Sequence, residues 1–350
     1  MIYAYYLDHL TGSVKGGAEV SQYSSKRDID FKEKSMVRVV ERPEISDDDI
    51  IVVMDSGTTV IVGVCDSVST KAPYDLTVLQ AENIFDRTIF TANESIISAT
   101  GMEDFIARTI SDQFIGGSDA LFDKPYMTVT AQTHTQVNAT VAGTVDSENG
   151  VYNFKTFLGN VLQYYGIMLD FDVGNGTLGV TVKKDSAAVL PIDTRYTDIE
   201  GLEETYSIKA LARLSVKWKN TSTGTETLRT FYLQSDRTIT ENAASLTRVS
   251  GTAKSVYIEA GTEAEMLQEV RNNFTSNSYN HSMKMNIRKS SKLYAPSDLY
   301  VGRKIRVVSG KTGLISDSLI SKAESSSGSE ILGITMGTLP VTLIDKIRRL

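Results

Sequence analysis

Residues 47–79, DDDIIVVMDSGTTVIVGVCDSVSTKAPYDLTVL, decide how the chain is read. Two apolar runs, 50–54 and 60–64, flank Asp55-Ser56-Gly57. Both are rich in β-branched residues, which suit a pleated, half-buried surface, and the Asp-Ser-Gly break supplies a tight turn. The pair therefore reads as a hairpin. A third strand follows in YDLTVL (74–79), with Leu76 and Val78 on one face, and MVRVVE (36–41) alternates in part upstream. Short strands at this spacing predict a small barrel or sandwich. The triplet Asp47-Asp48-Asp49 lacks the alternating ligands, turn glycine and distal carboxylate of a calcium loop, so it reads as a solvated strand start.

Moving outward, the period changes from two to 3.6. In TGMEDFIARTISDQFIGG (100–117), Met102, Phe105, Ile106, Ile110 and Phe114 recur at helical spacing. Thr100 and Glu103 have the spacing of a capping box, and Gly116-Gly117 supplies a stop. A second helix fits NFKTFLGNVLQYYG (153–166), with Asn153 as cap and Gly166 as terminator. IMLDFDV, GNG and TLGVTV (167–182) then make a hairpin. From Tyr206 strands return: Leu214, Val216 and Trp218 alternate, and NTSTG leads into TLRTFYLQ. A third helix, TEAEMLQEVRNNF (262–274), carries a capping box in Thr262 and Glu265. Strands resume at MKMNIRK (283–289) and run to the end. The last stretch, GTLPVTLIDKIRRL (337–350), reads as core sequence rather than a tail.

The fold class expected is mainly β with α+β insertions: two small β-barrels plus α/β inserted domains. The expected segments are 1–95 as the first barrel and 96–190 as an α/β domain. A discontinuous second barrel takes 191–250 and 285–350, with 251–284 inserted as a helical or α+β segment.

Composition narrows the function. The chain has 350 residues, 41% hydrophobic and 23% charged, with a net charge of −7. That length implies more than one module, and the proportions are those of a folded chain. A negative balance argues against a protein that grips phosphates or an anionic membrane. No apolar stretch reaches the ~20 residues that span a bilayer, and MIYAYYLDHLTG does not open like a secretory signal. One cysteine, Cys65, allows no internal disulfide and reads as a small buried hydrophobe.

A search for chemistry returns nothing. His9, His134 and His281 are far apart and lack the short spacing of a zinc site. A Cys-His amidase would need Cys65 beside a histidine, but Cys65 lies in a strand expected to face inward. No nucleophile elbow, phosphate loop or dinucleotide fingerprint is present. Some of the 43 acidic residues will lie at glycosidase spacing by accident. No catalytic, cofactor-binding or metal residue is therefore nominated, no cofactor is expected, and the chain is not expected to be an enzyme.

Two long stretches resemble a known group. They are DDDIIVVMDSGTTVIVGVCDSVSTKAPYDLTVLQAENIFDRTIF (47–90) and LYVGRKIRVVSGKTGLISDSLISKAESSSGSEILGITMGTLPVTLIDKIRR (299–349). With the order of elements, they are similar to the baseplate hub proteins of tailed phages, including prophage tail proteins and the N-terminal part of tail-associated lysins. The resemblance implies two barrels in one chain and a homotrimer, so that three chains present six similar patches to a sixfold tail tube. It implies a distal tail protein ring, a tape measure protein and receptor-binding or fibre proteins as partners, with DNA only as passing cargo. A lumen of like charge would let that DNA slide. Location in the virion tail tip, after assembly in the host cytoplasm, and gating of the tube for DNA release are implied as well. In this reading 337–350 closes the second barrel, and the lytic or fibre-bearing region that follows in longer relatives is not expected. A tail-associated cell-wall hydrolase and a carbohydrate-binding adhesin are the alternatives.

Overall fold

The computed structural model describes residues 1–91, 95–96, 101–117, 119, 122–136, 139–140, 150–174, 176–207, 211–234, 238–248, 251–276, 280–310 and 315–337. Strands make up 52% and helices 15%, so the fold is mainly β with α+β insertions. The chain forms two compact units, one of Met1–Leu202 with Lys284–Thr335, the other centred on Glu203–Met283.

The first unit begins with a closed six-stranded barrel. Its strands are β1 (Ile2–Leu7), β2 (Val14–Asp28), β3 (Lys34–Val39), β4 (Ile50–Asp55), β5 (Thr58–Val68) and β6 (Tyr74–Gln80). They pair in the order β1-β4-β5-β6-β3-β2, and β2 returns to β1. The expected hairpin is present: Asp55 faces Thr58, and Ser56 and Gly57 take φ of 51° and 87°. Two positive φ values in a two-residue turn match the right-handed twist of the strands. Period-two alternation sends Ala4, Tyr6, Val20, Val37, Val39, Ile51, Val53, Leu76 and Val78 into the barrel. Gly63 is required by close approach, since a Cβ there would lie 2.0 Å from the Leu79 carbonyl oxygen.

The α/β insert carries β7 (Thr88–Phe90), β8 (Ser95–Ile96), α1 (Met102–Ile110), β9 (Met127–Ala131), β10 (Ala139–Thr140), β11 (Val151–Asn153), α2 (Phe154–Tyr165), β12 (Ile167–Gly174) and β13 (Thr177–Lys184). Strand β13 lies between β12, antiparallel, and β9, parallel. The short strands pair as β7 with β11 and β8 with β10. Phe85, Phe114, Phe154 and Phe157 form a buried aromatic core; Phe85 and Phe114 meet edge to face at 5.1 Å. Helix α2 has the expected ends: Asn153 Oδ1 accepts the Thr156 N–H at 3.0 Å, and Gly166 closes at φ 68°. Helix α1 does not have the expected start. Thr100 lies outside the described residues, Gly101 is the cap without a side-chain bond, and Glu103 is engaged elsewhere.

After β14 (Leu190–Asp193) and β15 (Ile199–Ser207) come β16 (Leu211–Asn220), β17 (Glu226–Leu233), β18 (Ile239–Thr240), β19 (Thr252–Ala260) and α3 (Glu263–Ser276). The order β18-β17-β16-β19 forms a sheet of its own. Met266, Val270 and Phe274 of α3 pack on Leu214, Val216 and Phe231. The capping box of α3 is as expected: the Glu265 N–H donates to Thr262 Oγ1 at 3.3 Å, and the Thr262 N–H to Glu265 Oε2 at 3.1 Å. The grouping differs from expectation. Strands β16–β18, in the 191–250 segment expected to share a barrel with 285–350, form one sheet instead with β19 of the expected 251–284 insertion. Parallel pairing of β16 with β19 across a long crossover is the reason, and such contacts leave no local signal.

The remaining strands are β20 (Asn280–Arg288), β21 (Lys304–Val308), β22 (Ile315–Ser326) and β23 (Ile331–Gly337). Strand β22 pairs with β2, β21 and β23, and the path continues through β20 to β15, while β14 joins β21 in parallel. Among the described residues this second set is an open path, not a closed barrel. The segment 338–350, expected to close it, lies outside the described residues.

Candidate functional site

The β1–β2 turn is a polar junction between barrel and insert. Asp8 Oδ1 accepts the N–H groups of Leu10 and Thr11 at 3.0 and 2.8 Å. Gly12, at φ 67°, lies under the Tyr126 ring, where a Cβ would sit 2.5 Å from the nearest ring carbon. The Tyr126 hydroxyl and the Lys124 ammonium both donate to the His9 carbonyl, at 3.0 and 2.9 Å. Burial pushes the pKa of Lys124 down and that of Tyr126 up.

Below the turn sits Asp49, with 0% exposure. Asp47 and Asp48 are exposed, as a solvated strand start requires, and the correction to that reading is confined to Asp49. Lys15 Nζ and the Ser46 N–H each donate to Oδ2 at 2.7 Å; the His9 N–H and Nδ1 each lie 3.1 Å from Oδ1. Burial alone would raise the carboxyl pKa. The donors from Lys15, Ser46 and His9 outweigh it and hold Asp49 below the usual carboxylate range. Asp8, His9 and Asp49 bring ligand atoms within 4.8 Å of one another. The Lys15 ammonium already serves as their cation, so the arrangement is an ion-pair network that fixes the turn.

Cys65, His134 and Glu103 also have structural places. Cys65 is 1% exposed among the barrel core residues. Burial, with nearby Asp47 and Asp49, pushes its thiol pKa up to about 12, the reverse of an activated nucleophile. His134 Nδ1 lies 2.7 Å from Asp104 Oδ2 at the surface, and that hydrogen bond raises the imidazole pKa. His281 lies in β20. Glu103, expected as the capping-box partner of Thr100, is 0% exposed. Its carboxylate accepts the hydroxyls of Thr133 and Thr135 at 2.8 and 2.6 Å and the Thr135 N–H. Burial pulls its pKa up, but these bonds outweigh it and leave it lowered. Glu103 thus straps the segment after β9 to α1. No sequence signal marked Lys15, Asp49, Glu103 or Lys124 for these roles, because, apart from the Ser46 N–H beside Asp49, their partners are 30 to 115 positions away.

A cavity of about 740 Å³ opens between the barrel rim and the insert, walled by Arg27, Gln80, Glu82, Leu162, Leu169 and Asp185 among others. Its two most buried acids have partners on one side: Arg27 Nη2 donates to Glu82 Oε1 at 3.0 Å, and the Tyr300 hydroxyl to Asp185 Oδ1 at 2.9 Å. A second cavity, about 360 Å³, shares Arg27, Gln80, Leu169 and Asp170 with the first. Both spaces combine charged and apolar walls.

No protein-family model and no curated protein matches this sequence. Solved structures do match in shape. The tail protein from Neisseria meningitidis MC58 is 11% identical, with a TM-score of 0.55 over 98% of each chain. A chain of the phage P2 virion baseplate in its activated conformation is 10% identical, with a TM-score of 0.56 over 96% of this chain and 98% of that one. Prophage tail protein gp18 from Listeria monocytogenes EGD-e is 11% identical, with a TM-score of 0.51 over 99% and 97%. The similarity runs from end to end in each case, with no large region of either chain left over. The architecture of this chain is therefore the one found in tail and baseplate proteins of phages and prophages.

Proposed function

We propose that this chain is a structural protein of a phage-type tail, a hub at the distal tip, rather than an enzyme. The observation that carries the reading is the end-to-end match to phage tail and baseplate chains, which covers at least 96% of both partners in each comparison. The closed barrel, the bonded carboxylates of Asp49 and Glu103 and the buried thiol of Cys65 agree with it.

In this reading the chain assembles as a homotrimer in the host cytoplasm and takes its place in the virion tail tip. It joins the distal tail ring and the tape measure protein to receptor-binding or fibre proteins. It also gates the tube before DNA passes. Two barrel-like strand sets per chain would let three copies meet a sixfold ring. The second set is counted as a barrel on the proposal that 338–350 completes it.

Light scattering on the purified chain, with negative-stain images, tests the assembly. The expected result is three-subunit rings of about three times the 38.4 kDa chain mass. A monomer at all concentrations that clears cell-wall material in a zymogram would overturn the reading.

A further inference from the structure

The three-stranded sheet of the insert ends on a bare edge. Strand β12 is antiparallel to β13 over eight residue pairs, from Ile167 opposite Lys184 to Gly174 opposite Thr177. Strand β9 covers the far side of β13, so β12 is outermost. Two residues separate Gly174 from Thr177, which makes that pair hydrogen bonded, with bonded pairs recurring at every second residue. The main-chain groups of Leu169, Phe171 and Val173 therefore point away from β13. The phase is fixed independently. On β13, the Leu178 N–H donates to the Tyr126 carbonyl at 3.2 Å and the Val182 carbonyl accepts from Gln132 at 2.9 Å, so both face β9. Among the described residues, nothing pairs with the outward groups of Leu169, Phe171 and Val173.

This edge fronts two half-open clefts. Ile167–Asp170 line the larger cavity and Leu169–Asp172 the smaller, whose opposite wall is Thr59–Val62 of β5. A strand occupies about 4.8 Å sideways, 10 Å across its faces and 3.3 Å per residue, or roughly 160 Å³ per residue. The two clefts, about 740 and 360 Å³, thus match about seven residues of extended chain.

The walls also specify side chains. Ile167 and Leu169 are buried on one face of β12, whereas Asp170 and Asp172 are exposed on the other. A strand added beside β12 continues both faces. On the first, its side chains reach Ile106, Leu158 and Leu162. On the second they pass the Lys183–Asp170 ion pair, whose charges offset each other.

We propose that the β12 edge is a strand-addition site for an extended segment of another polypeptide, about seven residues long and apolar at every second position. Alternating main-chain donors and acceptors select a peptide over a sugar or a nucleic acid.

Amide hydrogen exchange, read by NMR, tests it. In the free chain the amides of Leu169 and Phe171 exchange at least about tenfold faster than those of Asp170 and Asp172, which face β13. Adding the peptide acetyl-KVTVSVE-amide at roughly 1 mM slows both outward amides about tenfold, whereas the rearranged acetyl-VVVTSKE-amide does not. Phe171→Pro removes one outward N–H without touching the β12–β13 ladder and abolishes that protection at Leu169, while Phe171→Leu retains it. Should Phe171→Pro fail to fold, Val173→Pro makes the same test one register further on. Slow exchange of the outward amides in the free chain overturns the proposal. So does equal protection by both peptides, or protection by neither.

Discussion

Replacing Asp49 by Asn keeps the shape and removes the charge. Asp49 accepts from four donors, two on each oxygen. An asparagine retains one acceptor oxygen and turns an NH₂ toward the other pair. If the oxygen stays on His9, the NH₂ confronts the Lys15 ammonium and the Ser46 N–H. Breaking a fully buried pair costs about 3–5 kcal/mol. Lys15 is 27% exposed, with Asp8 Oδ2 at 3.9 Å as a fallback, so part is recovered in solvent. A loss of about 2–4 kcal/mol remains. For a unit of this size that lowers Tm by about 5–12 °C. Calorimetry at neutral pH reads the shift on the first unit's transition. The pH dependence is the sharper test. The folded carboxyl pKa of Asp49 lies below its unfolded value of about 3.9, so its contribution is full above that value and disappears as pH falls through the folded pKa. The gap between wild type and Asp49→Asn should therefore close in acid. A gap under about 1 kcal/mol at pH 7, or one that widens on acidification, would refute the reasoning.

Gly63→Ala should destabilise the barrel by about 3 kcal/mol or more, because the new methyl meets the Leu79 carbonyl, a backbone atom that cannot turn aside. Gly57→Asn, in an open turn at φ 87°, should change stability by less than about 1 kcal/mol. Urea unfolding of the two variants tests both, and equal midpoints would contradict the packing argument. With its thiol pKa near 12 and 1% exposure, Cys65 should resist an aromatic disulfide reagent at pH 8 in the native chain. It should then react with one equivalent in guanidinium, and native reaction within seconds would show that the barrel opens.

What the sequence disclosed was local chemistry. Asp55-Ser56-Gly57, Asn153 with Gly166, Thr262 with Glu265, and GNG at 174–176 act within a few residues, and each turn or cap formed where read. What it concealed was distance. Asp49 reads as solvated because Lys15 is 34 positions away, and nothing near Asp49 announces it. Glu103 has capping-box spacing, yet Thr133 and Thr135 bind it more favourably inside the insert. The place of Leu211–Asn220 depends on a parallel partner beyond two intervening strands, so alternation identified the strand but not its sheet. The candidate site was invisible for the same reason: its walls come from segments as far apart as Arg27, Leu169 and Tyr300.

Strand β2 has a temporal consequence. Its first part belongs to the barrel, whose six strands all lie within the first 80 residues. Its last five residues, Ser24–Asp28, pair with Lys322–Ser326, and the Tyr23 N–H donates to Ser327 Oγ at 2.9 Å across 304 positions. A ribosome adding ~5–20 residues per second completes the barrel well before Lys322 emerges, on the order of 12–50 s later. Throughout that interval the nascent chain displays five ladder positions with nothing to bind. Any chaperone that shields this protein has its first client surface there, at the overhanging end of a fold that is otherwise finished.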